Sequence, residues 1–167
     1  MDKKFKITII TVTKNSEKYL EENILSVFNQ NYKNYEHIII DGDSKDNTIN
    51  IIEKHRDKIN YFISEPDEGL YFAMNKGLKK ATGDIIGILN SDDIYFPNAL
   101  EVVNRYFVQN EKLDFLFGSV YKHKLMYGYY PKKIKWTFGF YTTHSVGFFI
   151  KAQSQNKIGF YDTQYKW

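Results

Sequence analysis

The fold class is decided by the segment Ile85-Ile86-Gly87-Ile88-Leu89-Asn90-Ser91-Asp92-Asp93, in which an apolar strand ends abruptly in an amide and two carboxylates. Ligands of open α/β sheets bind outside the carboxyl ends of the strands, so this ending predicts a binding site. Alternation along an extended chain would place Asn90 and Asp92 on one side and Asp93 on the other. Neighbouring carboxylates repel each other unless water or a hard cation relieves them. An Asp-rich turn before a helix near Pro97 is the alternative.

Strand and helix patterns alternate on both sides of this segment. Apolar, β-branched runs predict strands over residues 7–12, 37–40, 61–63 and 85–89. Helical periodicity predicts helices over residues 16–30 (capped by Ser16), after a cap at Asp46, over 69–81, and over 97–108. A weaker strand is expected over residues 114–120. Such alternation requires right-handed crossovers, so we expect an α/β fold with a mostly parallel central sheet and flanking helices.

A second acidic cluster, Asp41-Gly42-Asp43-Ser44, follows the second predicted strand. Parallel strands end at one edge of a sheet, so Asp41 and Asp92 should lie at the same rim. Two acidic clusters in one crevice are a poor place for an anion unless a divalent metal lies between them. The pattern therefore predicts a metal-dependent site for an anionic ligand.

Composition limits the classes of protein that fit this chain. Its 167 residues suit one domain with a substantial core, and a net charge of +3 gives no indication of nucleic-acid binding. The absence of cysteine excludes disulfides and thiolate metal sites. No apolar run has the length of a membrane span and no signal-peptide core follows the N-terminus, so we expect a cytoplasmic protein.

Four ordered blocks together resemble the family 2 glycosyltransferases of GT-A fold, which is Rossmann-like. The match is closest to members that build bacterial exopolysaccharide, capsule and O-antigen. The blocks are Thr11-Val-Thr-Lys-Asn15, Asp41-Gly-Asp-Ser-Lys-Asp-Asn-Thr48, Ser64-Glu-Pro-Asp-Glu-Gly-Leu-Tyr-Phe-Ala-Met-Asn-Lys-Gly77 and Leu89-Asn-Ser-Asp-Asp93. The resemblance is ordered over residues 5–107 and looser beyond, implying a single domain over 1–167, with a nucleotide-sugar-binding half (1–107) and part of an acceptor half (108–167).

The resemblance implies an inverting transfer of sugar from a UDP-, GDP- or dTDP-sugar to a hydroxyl of a glycan or lipid-linked acceptor, with Mn²⁺ or Mg²⁺. Asp92 falls on the metal-binding position of the family motif, with Asp93 beside it, and Asn90 replaces the first acid of that motif. His144 resembles an acceptor-side residue, although a structural histidine is the alternative. The residues expected to bind the nucleotide sugar are Thr11, Thr13, Asp41, Asp43, Asn75, Lys76, Asn90 and Ser91.

Two positions depart from the family pattern: Gly42 stands where many members have a second acid, and Phe72 where close relatives have Asp. Simpler explanations also exist, since residues 41–48 could be a helix cap, and Asn75 with Lys76 an exposed helix face.

Residues 121–136 combine five lysines with five aromatic residues. This segment could serve acceptor binding or peripheral membrane association at the inner face of the membrane, or form a solvated hairpin or mobile loop.

The resemblance places the catalytic base beyond Trp167, because Asp162 matches an earlier acid of the family segment. We therefore expect donor and metal binding with little or no transfer by these 167 residues.

A non-catalytic nucleotide-sugar-binding protein is the main alternative. A nucleotidyltransferase is disfavoured because residues 11–16 contain no glycine for a phosphate loop. A phosphoacceptor receiver domain would not explain the third block.

Overall fold

The computed structural model describes residues 4–122, 124–126 and 145–164. The described strands are β1 (Ile7–Thr13), β2 (Tyr35–Asp41), β3 (Tyr61–Ser64), β4 (Ile85–Ile88), β5 (Phe115–Phe117), β6 (Val120–Lys122), β7 (Lys124–Met126) and β8 (Phe148–Lys151). The α-helices are α1 (Leu20–Phe28), α2 (Thr48–Lys54), α3 (Leu70–Lys80), α4 (Ala99–Gln109) and α5 (Ala152–Ile158), with 3-10 turns at Arg56–Lys58 and Ser145–Gly147.

The main sheet has six strands in the order β3-β2-β1-β4-β8-β5. Strands β1 to β4 are mutually parallel, and β8 runs antiparallel to both β4 and β5. Strands β6 and β7 form a separate antiparallel pair. The predicted mostly parallel α/β fold is confirmed. The expected strand over residues 114–120 is instead divided between β5 and β6, and most of the lysine-rich segment, residues 127–136, lies outside the described residues.

The core lies on both faces of the central strands. Every residue of β1 is buried, which explains its nearly continuous β-branched sequence. On one face, Ile7 and Ile9 pack with residues of α1 and α4, and on the other, Ile10 packs with Ala73 and Met74 of α3. Each buried isoleucine contributes roughly 1.5–3 kcal/mol through removal of apolar surface from water.

Helix α1 begins at Leu20, later than the predicted start at Ser16. The Ser16 hydroxyl does not cap the helix because it bonds to the Ser91 hydroxyl at 2.8 Å and to the Lys14 carbonyl at 3.3 Å. Asp46 was predicted to cap the next helix, but Asn47 is the N-cap residue of α2; the Asp46 carboxylate accepts from the backbone N–H of Thr48, the first residue of that helix. The prediction at Ser16 was wrong because that side chain connects two loops.

The topology brings the carboxyl ends of β1, β2 and β3 to one level. Thr13 lies opposite Asp41, and Asp41 lies opposite Ser64. The backbone N–H of Gly42 continues the ladder by donating to the Thr13 carbonyl at 2.9 Å. This edge, here called the carboxyl rim, carries the predicted acidic clusters. Within the described ranges, no helix combines the length and apolar character needed to cross a membrane.

Candidate functional site

Asp41 is a buried structural acid at the end of β2. Its carboxylate accepts from the Ser44 backbone N–H at 2.9 Å, from the Ser44 hydroxyl at 2.5 Å and from the Ser64 hydroxyl at 2.7 Å. These bonds tie the loop after β2 to the end of β3. Asp41 therefore sits inside the carboxyl rim, where its side chain organises the loops, and it does not line the cavity described below.

Further hydrogen bonds join the loops across the rim. The Ser44 hydroxyl accepts from the Asn15 backbone N–H at 2.7 Å, which connects the loop after β2 to the loop after β1. The Ser16–Ser91 bond then connects the loop after β1 to the loop after β4. Asn15 adopts a left-handed backbone with φ of 51°, which asparagine tolerates better than most residues. The expectation that the two acidic clusters share one edge is therefore confirmed.

The segment from Asn90 to Asp93 is a turn, so the predicted alternation of side chains along an extended chain was wrong. Strand β4 ends at Ile88, and the Asp93 backbone N–H donates to the Asn90 carbonyl at 3.0 Å. The side-chain amide of Asn90 donates to the Asp93 carboxylate at 3.3 Å. Asp92 is exposed, whereas Ser91 is buried and Asp93 is half-buried. The turn thus presents Asp92 to solvent and engages Asp93 internally.

A cavity of about 530 Å³ opens beside this turn, a volume typical of small-molecule sites. It lies between the end of β1, the turn after β4 and the start of α3. Among the predicted ligand-binding residues, Thr13, Asn90, Ser91 and Asp92 line it. The remaining lining residues are Val12, Lys14, Ser16, Asp67, Glu68, Gly69, Leu70 and Ala73.

The residues of the cavity wall suit an anionic ligand only if a cation binds together with it. The lining residues include three carboxylates and only one lysine: Asp67, Glu68, Asp92 and Lys14. The buried hydroxyl of Thr13 makes no hydrogen bond to any described residue, so it has capacity to bind a ligand. A diphosphate placed here would be repelled by the carboxylates unless a divalent ion lay between them.

The residues present fit a metal that is shared with a phosphate ligand. In residues 4–122, 124–126 and 145–164, no group of three acidic, histidine or cysteine side chains is arranged to hold an ion. Mg²⁺ is commonly held by one or two carboxylates together with substrate phosphates, and Mn²⁺ accepts the same oxygen ligands. Asp92 supplies one exposed carboxylate, with Asn90 and Asp93 adjacent. This donor set needs the ligand's own oxygens to complete it.

Sequence reasoning missed Asp67. A Cβ atom on Gly42 would lie 2.9 Å from the Asp67 Oδ2 atom, so this carboxylate occupies the space next to the position where many family members have a second acid. The Asp67 Oδ1 atom accepts from the Gly69 backbone N–H at 3.1 Å. The signal was available, since Asp67 follows the third strand and therefore falls on the same rim as the other two clusters.

Several expected ligand-binding side chains are engaged elsewhere. The amide of Asn75 donates to the Tyr161 carbonyl and accepts from the Tyr161 backbone N–H, each at 2.9 Å. Lys76 forms an ion pair with Glu65 at 2.9 Å. Asp43 forms an ion pair with Lys45 at 2.6 Å. Thr11 is fully buried. His144 lies outside the described residues.

Comparison with known proteins identifies relatives of the chain. Residues 8–165 match the model of the family described as Glycosyl transferase family 2. One relative is the Escherichia coli UDP-Glc:alpha-D-GlcNAc-diphosphoundecaprenol beta-1,3-glucosyltransferase WfgD, which is 34% identical over 114 residues. That alignment covers 68% of this chain and 45% of WfgD. The chain thus spans less than half the length of this relative.

Solved structures share the fold. S. aureus TarS 1-349 in complex with UDP superposes with a TM-score of 0.76 at 23% identity, covering 96% of this chain and 51% of the TarS 1-349 chain. Mannosyltransferase PcManGT from Pyrobaculum calidifontis, in complex with GDP-Man and Mn²⁺, gives a TM-score of 0.74 at 17% identity, covering 96% and 48%. At these identities the likeness concerns the fold alone.

Proposed function

The chain belongs to glycosyl transferase family 2, and from this premise we propose that it uses a nucleotide-diphosphate sugar and a divalent metal to glycosylate a hydroxyl acceptor, with inversion at the anomeric carbon. The observation that carries the proposal is the exposed Asp92 carboxylate on the wall of the cavity beside the Asn90–Asp93 turn. The complexes of TarS with UDP and of PcManGT with GDP-Man and Mn²⁺ support this choice of ligands.

We assign two roles to the residues of the cavity. Asp92, with Asn90 and Asp93 beside it, would hold Mn²⁺ or Mg²⁺ and the diphosphate. Thr13 and Asp67 would contact the nucleoside, since a hydroxyl without a described partner and a carboxylate suit ribose hydroxyls and base N–H groups. When bound, the metal would supply Lewis-acid stabilisation of the charge on the departing nucleoside diphosphate.

For the acceptor we propose a lipid-linked or polysaccharide glycan of the bacterial surface. WfgD, whose name specifies a diphosphoundecaprenol-linked acceptor, supports this choice. The lysine- and aromatic-rich residues 121–136 are suited to an anionic, lipid-linked substrate at the cytoplasmic face of a membrane. Only the beginning of that segment is described, so its role rests on its composition.

The test is thermal unfolding of the chain with UDP, GDP, CDP or dTDP, each with and without Mn²⁺ or Mg²⁺. We expect one nucleotide to stabilise the protein only when metal is present. Ligand at one hundred times its dissociation constant should add about 3 kcal/mol to the free energy of unfolding. Release of the same nucleoside diphosphate from its sugar donor, with and without acceptor, then separates an enzyme from a binding protein.

Two variants control this experiment. Asp92→Asn should abolish the metal-dependent part of the stabilisation. Asp57→Asn removes another exposed carboxylate, which pairs with Lys58 in the turn before β3, and should leave the stabilisation unchanged. Equal stabilisation of wild type and Asp92→Asn, or no response to any nucleotide with metal, would contradict the proposal.

A further inference from the structure

Helix α1 places a buried amide directly beneath the turn that carries Asp92. Asn23 is fully buried, and its Nδ2 atom donates to the Asn90 carbonyl at 2.9 Å and to the Asp93 carbonyl at 2.8 Å. These carbonyls belong to the first and last residues of the turn. The turn's own backbone bond, between Asp93 and Asn90, is thus supplemented by two bonds from one side chain.

The direction of every hydrogen bond beneath the turn can be assigned from chemistry. Carbonyl oxygens only accept, so the Asn23 nitrogen must face them and its Oδ1 atom must face Thr11, whose Oγ1 lies 3.3 Å away. Thr11 donates its single hydroxyl proton to Asn23. It therefore accepts from the Nε2–H of His37, 2.9 Å away.

His37 completes this chain as a neutral imidazole. It is fully buried, and burial lowers its pKa to about 3. Its Nδ1 atom makes no hydrogen bond to any described residue, as expected when the proton resides on Nε2. Proton donation therefore runs in one direction, from His37 through Thr11 to Asn23 and on to the turn.

We propose that His37, Thr11 and Asn23 form a positioning relay that fixes the Asn90–Asp93 turn, so that Asp92 is held ready for the metal-bound donor. This inference rests on the proposed function. Rotation of the Asn23 amide would turn its oxygen toward two carbonyl oxygens, and it would also break the bond that Thr11 donates to Oδ1. Thr11 is thus a positioning residue, whereas the sequence pattern predicted that it would contact the donor.

Helix α1 and the residues that follow it continue the support downstream. The Ser26 hydroxyl accepts from the Tyr95 backbone N–H at 3.2 Å. Gln30 donates to the Phe96 carbonyl at 3.0 Å and accepts from the Leu100 backbone N–H at 3.2 Å. Asn23 and Ser26 lie three residues apart on α1, and Gln30 follows two residues after the end of the helix. The segment that they hold, residues 90–98, contains no described helix or strand. Polar side chains of α1 and of Gln30 therefore support this loop.

The relay is tested by titrating the chain with UDP in the presence and absence of Mn²⁺, or with whichever diphosphate the thermal screen selects. Thr11→Val removes the hydroxyl at constant shape and should reduce the Mn²⁺-dependent gain in affinity about 10-fold, as loss of a supporting contact behind a metal ligand typically does. Affinity without metal should change little. Thr11→Ser keeps the hydroxyl and should retain most of the gain.

Thr8→Val is the matched control, because Thr8 lies on the same strand and is equally buried, but its hydroxyl bonds to Glu36 at the opposite edge of the sheet. It should lower stability without changing the Mn²⁺-dependent gain. If Thr11→Val fails to fold, as judged by urea unfolding, Asn23→Ala provides the same test.

The outcomes separate the two proposals. Absence of Mn²⁺-dependent binding in the wild type would refute the proposed function. A wild type with that binding and relay variants with an undiminished gain would overturn the relay alone. A gain lost equally in Thr8→Val and Thr11→Val would also overturn it, because the effect would then be general destabilisation.

Discussion

The two edges of the central sheet each carry a cluster of acidic and hydroxyl side chains, and the clusters differ in how completely they are satisfied. At the edge where the parallel strands begin, the Glu36 carboxylate is buried and receives four hydrogen bonds, from Lys6, Thr8 and twice from Thr82. At the carboxyl rim, Asp92 is exposed on a cavity, and the buried Thr13 hydroxyl has no described partner. Both carboxylate oxygens of Glu36 are thus hydrogen-bonded within the protein, whereas the second cluster has groups that remain available to a ligand.

This contrast indicates which acid contributes to stability and which to binding. Burial alone would raise the pKa of Glu36, but hydrogen bonds from Lys6, Thr8 and Thr82 outweigh it and lower that pKa to about 2. A carboxylate so stabilised belongs to the folded scaffold. Asp41, although at the carboxyl rim, resembles Glu36 in being saturated by neighbours. Position at the rim is therefore insufficient to identify a binding residue.

The largest expected effect follows from Asp92→Asn. Loss of the exposed carboxylate should reduce the Mn²⁺-dependent affinity for UDP by about 10- to 100-fold, the usual cost of removing a charged partner from a direct contact. The free energy of unfolding without ligand should stay within about 0.5 kcal/mol of wild type, because the side chain is exposed. Titration with UDP in the presence of Mn²⁺ and urea unfolding measure the two quantities. A large loss of stability would mean that Asp92 belongs to the scaffold.

Glu36→Gln should produce the opposite pattern. Replacing the charged acceptor of four bonds should lower the free energy of unfolding by about 2 kcal/mol. Metal-dependent UDP affinity, measured well below the unfolding temperature, should be unchanged. Glu53→Gln, an exposed substitution on α2, is the control. Weaker UDP binding by Glu36→Gln would break the proposed separation between the two edges.

Stability should fall with acid in two overlapping ranges. The pKa of His37 is lowered in the folded state, so unfolding takes up a proton as the pH falls from 6.5 towards about 3, and the folded state loses stability over that range. Glu36 adds a loss between pH 4.5 and about 2, because its pKa is also lowered by folding. His37→Gln should flatten the dependence of unfolding free energy between pH 6.5 and 4.5, where the wild-type slope reaches about 1.4 kcal/mol per pH unit. An unchanged slope would contradict the burial of a neutral His37.

The smallest expected effect is that of Asp67→Asn. If its carboxylate contacts the nucleoside, loss of the charge should raise the Kd for UDP by about 3- to 10-fold, both with and without Mn²⁺, since the contact does not involve the metal. Glu68→Gln, on the neighbouring cavity residue, provides a matched comparison. An unchanged Kd, or a loss of affinity that occurs only with Mn²⁺, would contradict the assignment of Asp67 to the nucleoside.

The parallel half of the fold was predictable because its signals are local. Isoleucine-rich runs and helical periodicity fixed β1 to β4 and their crossovers, and hence the rim that Asp41 and Asp92 share. The insertion of β8 between β4 and β5 was not predictable, because the pairing of Phe149 with Gly87 and Leu116 joins residues far apart in the chain. Periodicity in a sequence predicts that a segment is a strand, but it does not predict which strand that segment pairs with.

The roles of individual rim residues were less predictable than the rim itself. Asp41 and Asp92 both follow apolar strands, yet one is covered by Ser44 and Ser64 while the other remains exposed. That difference depends on a partner 23 residues away. The role of Asn23 could not be predicted, because a single buried polar residue in an otherwise apolar helix face produces no pattern in the sequence.

The most direct test of the central claim is electron paramagnetic resonance of Mn²⁺ titrated into the protein with saturating UDP, or with the diphosphate selected by the thermal screen. If Asp92 and the diphosphate hold the ion jointly, the wild type should remove free Mn²⁺ from solution at one ion per chain, and only when the nucleotide is present. Asp92→Asn should leave the ion free under the same conditions. Equal Mn²⁺ uptake by wild type and Asp92→Asn would contradict the account.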